Sequence, residues 1–441
     1  MPDAKVTKTK LKNGLTVLLK EVHTAPVISW WVWYRVGSRN ERPGCTGISH
    51  WVEHMMFKGT QRFPGNYSDR VIARDGGVRN AATWIDWTTY YATLPADKID
   101  FALRLEADRM GRALFPPKEV ASERTVIISE RQGSENSPTF RLMEEVQAAA
   151  FRVHPYHHTV IGDMADLETM TRDDLYGHYQ SYYAPNNAIA VAVGDFKTRD
   201  MLARIKTLFG GYKARELPTQ RARPEPEQRG ERRVTVTGEG ETAYVDINYH
   251  APAATDPDFY AMVALDSILA GASSISLFGR GTSNKSSRLY RSLVETGLAA
   301  SVSGSLTATV DPYLYSVFAT VRNGQTPDAV EKALDVEIDR MHNDLVTEAE
   351  LAKALKQARA LFAFGAESVT NQGAWLGQTE IFANYQWFNT YLDRLAEVTA
   401  LDVQRAAQQY LARTNRTVGH FIPTQAPAAA PNDGGDFEPE D

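Results

Sequence analysis

Two stretches of the sequence, TMTRDDLYGHYQSYYAPNN at 169–187 and EVTALDVQRAAQQYLARTN at 397–415, carry the same polar residues at the same spacing. Four pairs are each separated by 228 positions: Thr171 and Thr399, Asp174 and Asp402, Tyr182 and Tyr410, Asn187 and Asn415. Thr-x-x-Asp is a helix-start signal, so each stretch predicts an amphipathic helix that ends near an asparagine. Such patterns recur in many mixed helix and strand proteins, but a constant offset at four polar positions favours a duplication.

Weaker matches agree with a duplicated chain. ISWWVWYRVGS at 28–38 recurs as VDINYHAP at 245–252, and DWTTYYATLP at 86–95 recurs as DPYLYSVFATV at 311–321. Strands mixed with long helices, without a regular βαβ alternation, predict an α+β fold with helices against one face of each sheet. We therefore expect two homologous α/β sandwich halves.

The boundary between the halves is predicted from composition. Residues 213–233 are rich in charge and proline and nearly free of large apolar side chains, which is typical of a linker. The predicted organisation is an N-terminal half at 1–212, this linker, a C-terminal half at 234–424, and a disordered acidic tail at 425–441.

Composition restricts the possible functions. With 441 residues and a formal net charge of -6, the chain has no general attraction to nucleic acid or anionic membranes. The longest apolar run, ISWWVWY at 28–34, is far too short to span a bilayer and predicts a buried strand. The first residues lack a secretory signal, so we expect a cytoplasmic chain, or a periplasmic one if an export signal has been removed.

The stretch GISHWVEHMMFKGT at 47–60 places titratable residues in an apolar helix. His50 and His54 are four residues apart and project from one face, with Glu53 beside them. Two imidazoles at that spacing can take two corners of a Zn²⁺ tetrahedron, and a neighbouring carboxylate that is not a ligand can accept a proton from water. The alternative is an accidental arrangement, and a third ligand is still required.

A second predicted helix, ASERTVIISERQGSE at 121–135, offers candidates for that ligand. Glu123 and Glu130 are seven residues apart and share one face. One carboxylate could complete the metal shell while the other orients a ligand. Both could equally be solvated helix residues, and position alone does not decide between these interpretations.

Three further histidines lie in HPYHHT at 154–159 and raise the question of a second metal site. No carboxylate or cysteine near them in the sequence completes a metal shell. We expect His154, His157 and His158 to be solvated loop residues.

The motif His-x-x-Glu-His, its flanking residues and a glutamate 76 positions after the second histidine resemble the inverzincin metallopeptidases of family M16. This group includes insulinase, pitrilysin and mitochondrial processing peptidase. Segments along nearly the whole chain have counterparts in order: KLKNGLTVLL, WWVWYRVGSRNE, GGVRNAATWIDWTTYY, HPYHHTVIGDMADL, YYAPNNAIAVAVGDF and SSRLYRSLVETGLAASV. The length resembles the short subfamily M16B, whose chains work as dimers.

The resemblance implies a role for each motif residue. The implied zinc ligands are His50, His54 and Glu130, the implied general base is Glu53, and Glu123 would support the metal site. Asn80 and Ala81 match the edge strand to which the family adds a substrate peptide as an extra β-strand. The implied activity is that of a zinc endopeptidase that hydrolyses peptides or unfolded polypeptides, with Glu53 accepting a proton from zinc-bound water.

The chain departs from the family pattern in its second half. Active members place an arginine and a tyrosine in a segment similar to L-R-E-x-x-G-L-A-Y, whereas SLVETGLAA at 292–300 has Ala300 at the tyrosine position. The arginine position is Val294 or Leu293, depending on alignment. This loss predicts a heterodimer in which a related, zinc-free partner supplies both groups, although a homodimer is also possible.

The alternative is a non-catalytic structural subunit like the core proteins of a respiratory complex. The intact metal motif argues against that alternative.

Overall fold

The computed structural model describes residues 5–219, 223–275 and 285–424 of the chain. The predicted tail at 425–441 lies outside these residues. The strands are β1 (Thr7–Lys10), β2 (Thr16–Glu21), β3 (Val27–Tyr34), β4 (Val78–Thr83), β5 (Thr88–Pro95), β6 (Ala188–Gly194), β7 (Arg232–Glu239), β8 (Tyr244–Ala251), β9 (Ala299–Leu306), β10 (Tyr313–Val321) and β11 (Arg416–Thr424).

Helices connect these strands in both halves. They are α1 (Ile48–Met55), α2 (Tyr67–Arg74), α3 (Ile99–Arg112), α4 (Pro117–Glu135), α5 (Pro138–Ala150), α6 (Met164–Thr169), α7 (Arg172–Tyr182), α8 (Thr198–Phe209), α9 (Asp258–Asp266), α10 (Pro327–Asn343), α11 (Glu348–Gly365), α12 (Val369–Phe382), α13 (Tyr385–Ala396) and α14 (Ala400–Tyr410). Across the described ranges, none of these helices combines the length and apolar character needed to traverse a bilayer.

The two sheets have the same topology. Within the described ranges, the first sheet has the order β1-β2-β6-β3-β5-β4 and the second has the order β7-β11-β8-β10-β9. Strand β2 runs parallel to β6, as β7 does to β11, and the remaining neighbours are antiparallel. Apart from the additional strand β1, each strand has a counterpart, which confirms the predicted α+β fold of two homologous halves.

The polar residues that revealed the repeat make equivalent contacts. Thr171 Oγ1 accepts the Asp174 N–H at 3.2 Å at the start of α7, and Thr399 Oγ1 accepts the Asp402 N–H at 3.2 Å at the start of α14. Both helices therefore begin with the predicted cap.

The asparagine of each repeat ties the end of its helix to the central strand of its sheet. Asn187 Nδ2 donates to the carbonyls of Tyr182 at 2.9 Å and Arg35 at 3.3 Å. Asn415 Nδ2 donates to those of Tyr410 at 2.7 Å and His250 at 2.9 Å. These contacts explain why the same residue types recur at a constant offset.

The region proposed as a linker follows the surface of both halves. Its described residues, 213–219 and 223–231, contain neither helix nor strand, and β7 begins at Arg232. The Glu225 carboxylate accepts the backbone N–H groups of 152–154 at 2.7 to 3.0 Å, and Gln228 donates to the Arg416 carbonyl at 2.7 Å. We retain 213–233 as the proposed boundary and infer that these contacts fix the linker in place.

Each sheet is covered on its second face by a helix from the other half, an arrangement that the sequence did not predict. Helix α5 of the first half packs on β7, β8 and β11, and α12 of the second half packs on β3 and β6. Strand β3 is accordingly buried on both faces. Trp30 and Val32 belong to the first core, which is built from residues of the first half, whereas Trp31 and Trp33 belong to the second core, which is built mainly from residues of the second half. The second core therefore contains residues of both halves.

Two glycines allow α12 to approach β3. A Cβ atom at Gly373 would lie 2.5 Å from Trp31 Nε1, and one at Gly377 would lie 2.0 Å from Trp33 Nε1. These residues are four apart, so both lie on the helix face that contacts the strand. A larger side chain at either position would push the halves apart.

We expect Gly377→Ala to lower the free energy of unfolding by about 1–3 kcal/mol, because the buried Trp33 ring cannot make room for a methyl group. The matched control is Gly177→Ala in α7, where an added Cβ meets nothing within 4 Å. That control should stabilise the protein by about 0.5–1 kcal/mol through helix propensity. Thermal unfolding of both variants measures the difference. Equal stability of Gly377→Ala and the wild type would contradict the proposed packing.

Candidate metal centre

The N-terminus of α1 is anchored by a buried carboxylate. Glu41 accepts the backbone N–H of Gly47 at 2.8 Å and of Ser49 at 2.9 Å, and His158 Nε2 lies 2.9 Å from the same carboxylate. Gly47 has a φ of 84°, and a Cβ there would lie 2.3 Å from the Ile161 carbonyl oxygen. A negative charge at a helix N-terminus is favourable, so Glu41 stabilises the helix that carries the metal motif.

The prediction of solvated histidines in the 154–159 segment is wrong for His154 and His158. Both are buried, and each contacts a carboxylate that is distant in sequence: His158 contacts Glu41, and His154 Nε2 lies 3.2 Å from Asp311 Oδ2. Partners 117 and 157 positions away could not be recognised from the local sequence. Neither histidine belongs to a cluster in the described residues that could hold a metal ion.

The structure brings the three predicted ligands together. His50 and His54 lie on one face of α1, with ring centroids 4.7 Å apart. Glu130 of α4 reaches the same point, where its Oε2 lies 3.9 Å from His50 Nε2 and 3.8 Å from His54 Nε2. All three residues offer ligand atoms within 4.8 Å of one another. The face shared by α1 and α4 is therefore a candidate metal centre.

The donor set fits Zn²⁺. In a tetrahedral site with bonds of about 2.0–2.2 Å, neighbouring ligand atoms are about 3.3–3.6 Å apart. The measured separations of 3.8 and 3.9 Å exceed this by a few tenths of an ångström. Because the Glu130 side chain is 47% exposed, it has room to move by that amount. Two imidazoles and one carboxylate leave a fourth position open, as catalytic zinc sites do.

Glu123 orients one of the imidazoles. Its Oε1 accepts a hydrogen bond from His54 Nδ1 at 2.8 Å, so Nε2 of His54 is free to bind a metal. The other oxygen of Glu123 forms an ion pair with Lys58. The hydrogen bond from His54, together with the Lys58 ammonium, lowers the pKa of Glu123 below its ordinary value. Glu123 is therefore buried as a carboxylate that holds His54 in one tautomer.

His50 has a different environment. Burial, with a smaller effect from His54, lowers the pKa of His50 to about 3, which keeps its ring neutral as a metal ligand must be. Nδ1 of His50 is buried and has no hydrogen-bond partner among the described residues. Of the two rings, His54 is therefore the one held by a carboxylate.

Glu53 is buried beside the ligands, with 8% of its surface exposed. Its Oε2 accepts a hydrogen bond from Thr83 Oγ1 at 2.6 Å. Burial raises the pKa of Glu53 above its ordinary value, while the Thr83 hydrogen bond and the nearby His54 oppose this rise. A carboxylate with a raised pKa is better suited to accepting a proton near neutral pH.

The predicted substrate strand lies next to α1. Asn80 and Ala81 belong to β4, which is the last strand of its sheet and pairs with β5 on one side. Asn80 is exposed, and its Oδ1 accepts the Ala81 N–H at 2.9 Å. An added peptide would have to replace this local hydrogen bond with one of its own.

The second-half positions at which the family resemblance leads us to expect an arginine and a tyrosine have no polar side chain. Leu293 is buried in the core of the second half, and Val294 packs against that core. Ala300 is exposed on β9. Within the segment 292–300, neither alignment of the motif places a side chain that can donate a hydrogen bond at these two positions.

Three residues that support the site were missed from the sequence: Glu41, Lys58 and Thr83. For Lys58 a signal existed, since it follows His54 by four residues, the spacing at which side chains are neighbours if a helix continues. Thr83 lies 30 positions from Glu53, and Glu41 lies in a segment with no recognisable cap pattern. These two contacts depend on the tertiary fold.

A second cluster that could hold a metal consists of Asp328, Glu331 and His420. Two guanidinium groups already contact its central carboxylate: Arg233 Nη1 donates to Glu331 Oε2 at 3.1 Å, and Arg416 Nη2 donates to Glu331 Oε1 at 3.1 Å. Positive charges at that distance repel a divalent cation. We therefore assign no metal to this cluster.

Comparisons with known proteins agree with the fold and the motif. The family description "Insulinase (Peptidase family M16)" matches residues 16–164, and "Peptidase M16 inactive domain" matches residues 169–358. The chain is 31% identical over 422 residues to "Zinc protease PqqE" of Helicobacter pylori, which covers 94% of this chain and 92% of that protein. It is 26% identical to a probable mitochondrial-processing peptidase subunit beta of Arabidopsis thaliana, over 96% of this chain and 79% of that protein.

Solved structures have the same fold. The crystal structure of a protease from Helicobacter pylori superposes with a TM-score of 0.89 at 29% identity and covers 95% of this chain and 100% of the other. A chain of complex III from Candida albicans shares the fold alone, with a TM-score of 0.78 at 16% identity over 95% of this chain and 96% of its own length. The chain belongs to peptidase family M16.

Proposed function

We propose that this chain is the zinc-bearing subunit of an endopeptidase that hydrolyses peptides or unfolded polypeptides. The observation that carries the proposal is the convergence of His50, His54 and Glu130 beside the buried carboxylate of Glu53. The names of the relatives, several of which are called zinc proteases, support the same metal and reaction class.

The residues have separate roles in the proposed reaction. His50, His54 and Glu130 would hold Zn²⁺, and Glu123 would keep His54 in the tautomer that presents Nε2. A zinc ion in such a site supplies Lewis acidity, which polarises a scissile carbonyl and makes water more acidic. Glu53 would accept the proton of the attacking water and pass it to the leaving amine.

The edge strand β4 is the proposed binding site for the substrate backbone. An extended peptide that pairs with Asn80 and Ala81 would gain main-chain hydrogen bonds, which do not depend on its sequence. Because β4 contacts α1, such a peptide would pass close to the metal ligands. This arrangement favours unfolded substrates over folded proteins.

We propose that a related, zinc-free subunit completes the site. Ala300 and either Leu293 or Val294 occupy the positions at which active relatives carry oxyanion-binding groups, and none of the three has a side-chain donor. Loss of one such donor typically costs about 100- to 1000-fold in turnover. The Arabidopsis relative is named as one subunit of a processing peptidase, which supports a two-chain enzyme.

A non-catalytic role is the second candidate. It is favoured by the structural similarity to a complex III chain and by the family description "inactive domain". Metal analysis separates the two: about one zinc per chain supports the peptidase, and a metal-free chain whose stability does not respond to a chelator supports the scaffold. The predicted compartment, cytoplasmic or periplasmic, stays a prediction; one structural relative is a periplasmic protease of Escherichia coli.

We expect Glu53→Gln to retain about one zinc per chain and to lose measurable turnover. Glutamine can hydrogen-bond water but cannot accept its proton, so the ligands stay in place while the base is removed. The control is Glu145→Gln on the exposed face of α5, which should cleave peptides at the wild-type rate. Peptide cleavage and metal content measure the outcome. Wild-type turnover of Glu53→Gln would contradict the assignment.

The purified chain alone should bind zinc and cleave peptides slowly. Addition of the related zinc-free subunit should raise turnover by about 100-fold or more, because it restores oxyanion donors. The measurement compares cleavage of one fluorogenic peptide with and without that subunit. Full activity of the isolated chain would refute the partner requirement and leave the metal assignment intact.

A further inference from the structure

The hydroxyl of Thr83, at the end of the edge strand β4, contacts the carboxylate proposed as the general base. Thr83 Oγ1 lies 2.6 Å from Glu53 Oε2. This hydrogen bond joins the strand that would receive the peptide to the group that would move the proton. Neither the motif nor the comparisons assign a role to Thr83.

The direction of the hydrogen bond follows from its acceptor, because an ionised carboxylate has no proton to donate. Thr83 Oγ1 also lies 3.4 Å from Thr88 Oγ1, which is a much weaker contact. Thr88 Oγ1 donates its own proton to the Val36 carbonyl at 2.9 Å. Thr83 is therefore free to donate its proton to Glu53, and an ionised carboxylate makes that bond short and strong.

The strand geometry points Thr83 at α1. Side chains alternate along a strand, so Ala81 and Thr83 share one face of β4. Ala81 packs against the first core, which contains the buried residues of α1, whereas Ala82 packs against the second core. Thr83 therefore lies on the strand face directed toward α1, two residues after Ala81, where the backbone is proposed to bind the peptide.

The turn after Thr83 is held rigidly. Trp84 N–H donates to the Trp87 carbonyl at 2.8 Å. Asp86 in this turn is buried and accepts hydrogen bonds from Arg39 at 3.1 Å, Tyr156 at 2.6 Å and the Val310 N–H at 2.9 Å. Val310 belongs to the second half, so both halves fix the turn. Thr83 therefore lies at the anchored end of β4.

We propose that Thr83 is a positioning residue that holds the Glu53 carboxylate in the orientation needed to accept a proton and links it to the substrate strand. This inference rests on the proposed function. Glu53 has a single hydrogen-bond donor from a side chain among the described residues, and it is buried. Without that hydroxyl, the buried carboxylate would turn toward a different donor, such as a cation or a water molecule. A general base that has lost its orientation transfers protons less often, even though peptide and metal still bind.

The test compares three variants in the cleavage assay, with the partner subunit present if the wild type requires it. Thr83→Val keeps the shape of the side chain and removes the hydroxyl, and Thr83→Ser keeps the hydroxyl. Thr89→Val removes a buried hydroxyl from the adjacent strand, where Thr89 Oγ1 donates to the Val32 carbonyl at 3.2 Å and does not contact Glu53.

We expect Thr83→Val to lower kcat by about 10- to 100-fold, the loss that a hydrogen bond to a charged group typically causes. The KM for peptide should stay within about twofold and zinc content should not change, because the hydroxyl contacts neither. Thr83→Ser should recover most of the lost turnover. Thr89→Val should match the wild type, so loss of turnover in Thr83→Val would not reflect general destabilisation.

Wild-type kcat in Thr83→Val, or an equal loss in Thr83→Ser, overturns the inference while leaving the proposed function intact. If the wild type does not cleave peptides with or without a partner, the proposed function fails and crystal structures of the two variants decide the inference. A Glu53 carboxylate that is displaced in Thr83→Val and in place in Thr83→Ser supports it. An unmoved carboxylate in Thr83→Val contradicts it.

Discussion

Two imidazole rings and a carboxylate must each bring a ligand atom to about 2.0–2.2 Å from one point, although the second histidine and the glutamate are 76 residues apart in the chain. The two helices that carry them, α1 and α4, therefore have to be fixed relative to each other. Glu123 contributes directly to this, because it extends from α4 to both His54 and Lys58 in the region of α1. The residue that contacts His54 therefore also joins the two helices that carry the candidate ligands.

Other contacts fix α1 from outside this pair. Glu41 holds its N-terminus, and Thr83 holds the buried side chain of Glu53. Burying Glu53, His50 and Glu123 in one helical interface is unfavourable unless each polar atom finds a partner or a metal. Glu123 and Glu53 have such partners, whereas Nδ1 of His50 has none among the described residues. The remaining ligand atoms, on His50, His54 and Glu130, face one another and together suit a cation.

The repeat and the metal motif could be predicted from the sequence because both depend on local spacing. The constant offset of 228 positions indicated the duplicated fold. The placement of His50, Glu53 and His54 close together on one helix followed from helical geometry. The third ligand could not be derived in this way, since spacing left Glu123 and Glu130 equivalent. Only the resemblance to a known family distinguished them. In the structure, Glu130 Oε2 lies 3.8 Å from His54 Nε2, whereas Glu123 Oε1 contacts His54 Nδ1 at 2.8 Å.

Contacts between distant segments could not be predicted. Helix α5 packs on the sheet of the second half, and α12 packs on the sheet of the first half. No local sequence pattern indicates which sheet a helix will cover. Gly373 and Gly377 are a partial indication in the sequence that α12 packs closely against another element, because small residues at helical spacing permit close packing. The pairing of His158 with Glu41 and of Thr83 with Glu53 likewise arises only when the chain folds. For this reason, the prediction of solvated histidines in the 154–159 segment failed for His154 and His158, whereas His157 is exposed as expected.

The central claim is that one metal ion binds to His50, His54 and Glu130 at the same time. Anomalous diffraction from a zinc-loaded crystal, measured on both sides of the zinc absorption edge, tests it most directly. The account predicts a single strong peak at about 2.0–2.2 Å from the Nε2 atoms of both histidines and from a Glu130 oxygen. A peak at another cluster, or no peak between α1 and α4 in a fully zinc-loaded crystal, would contradict it.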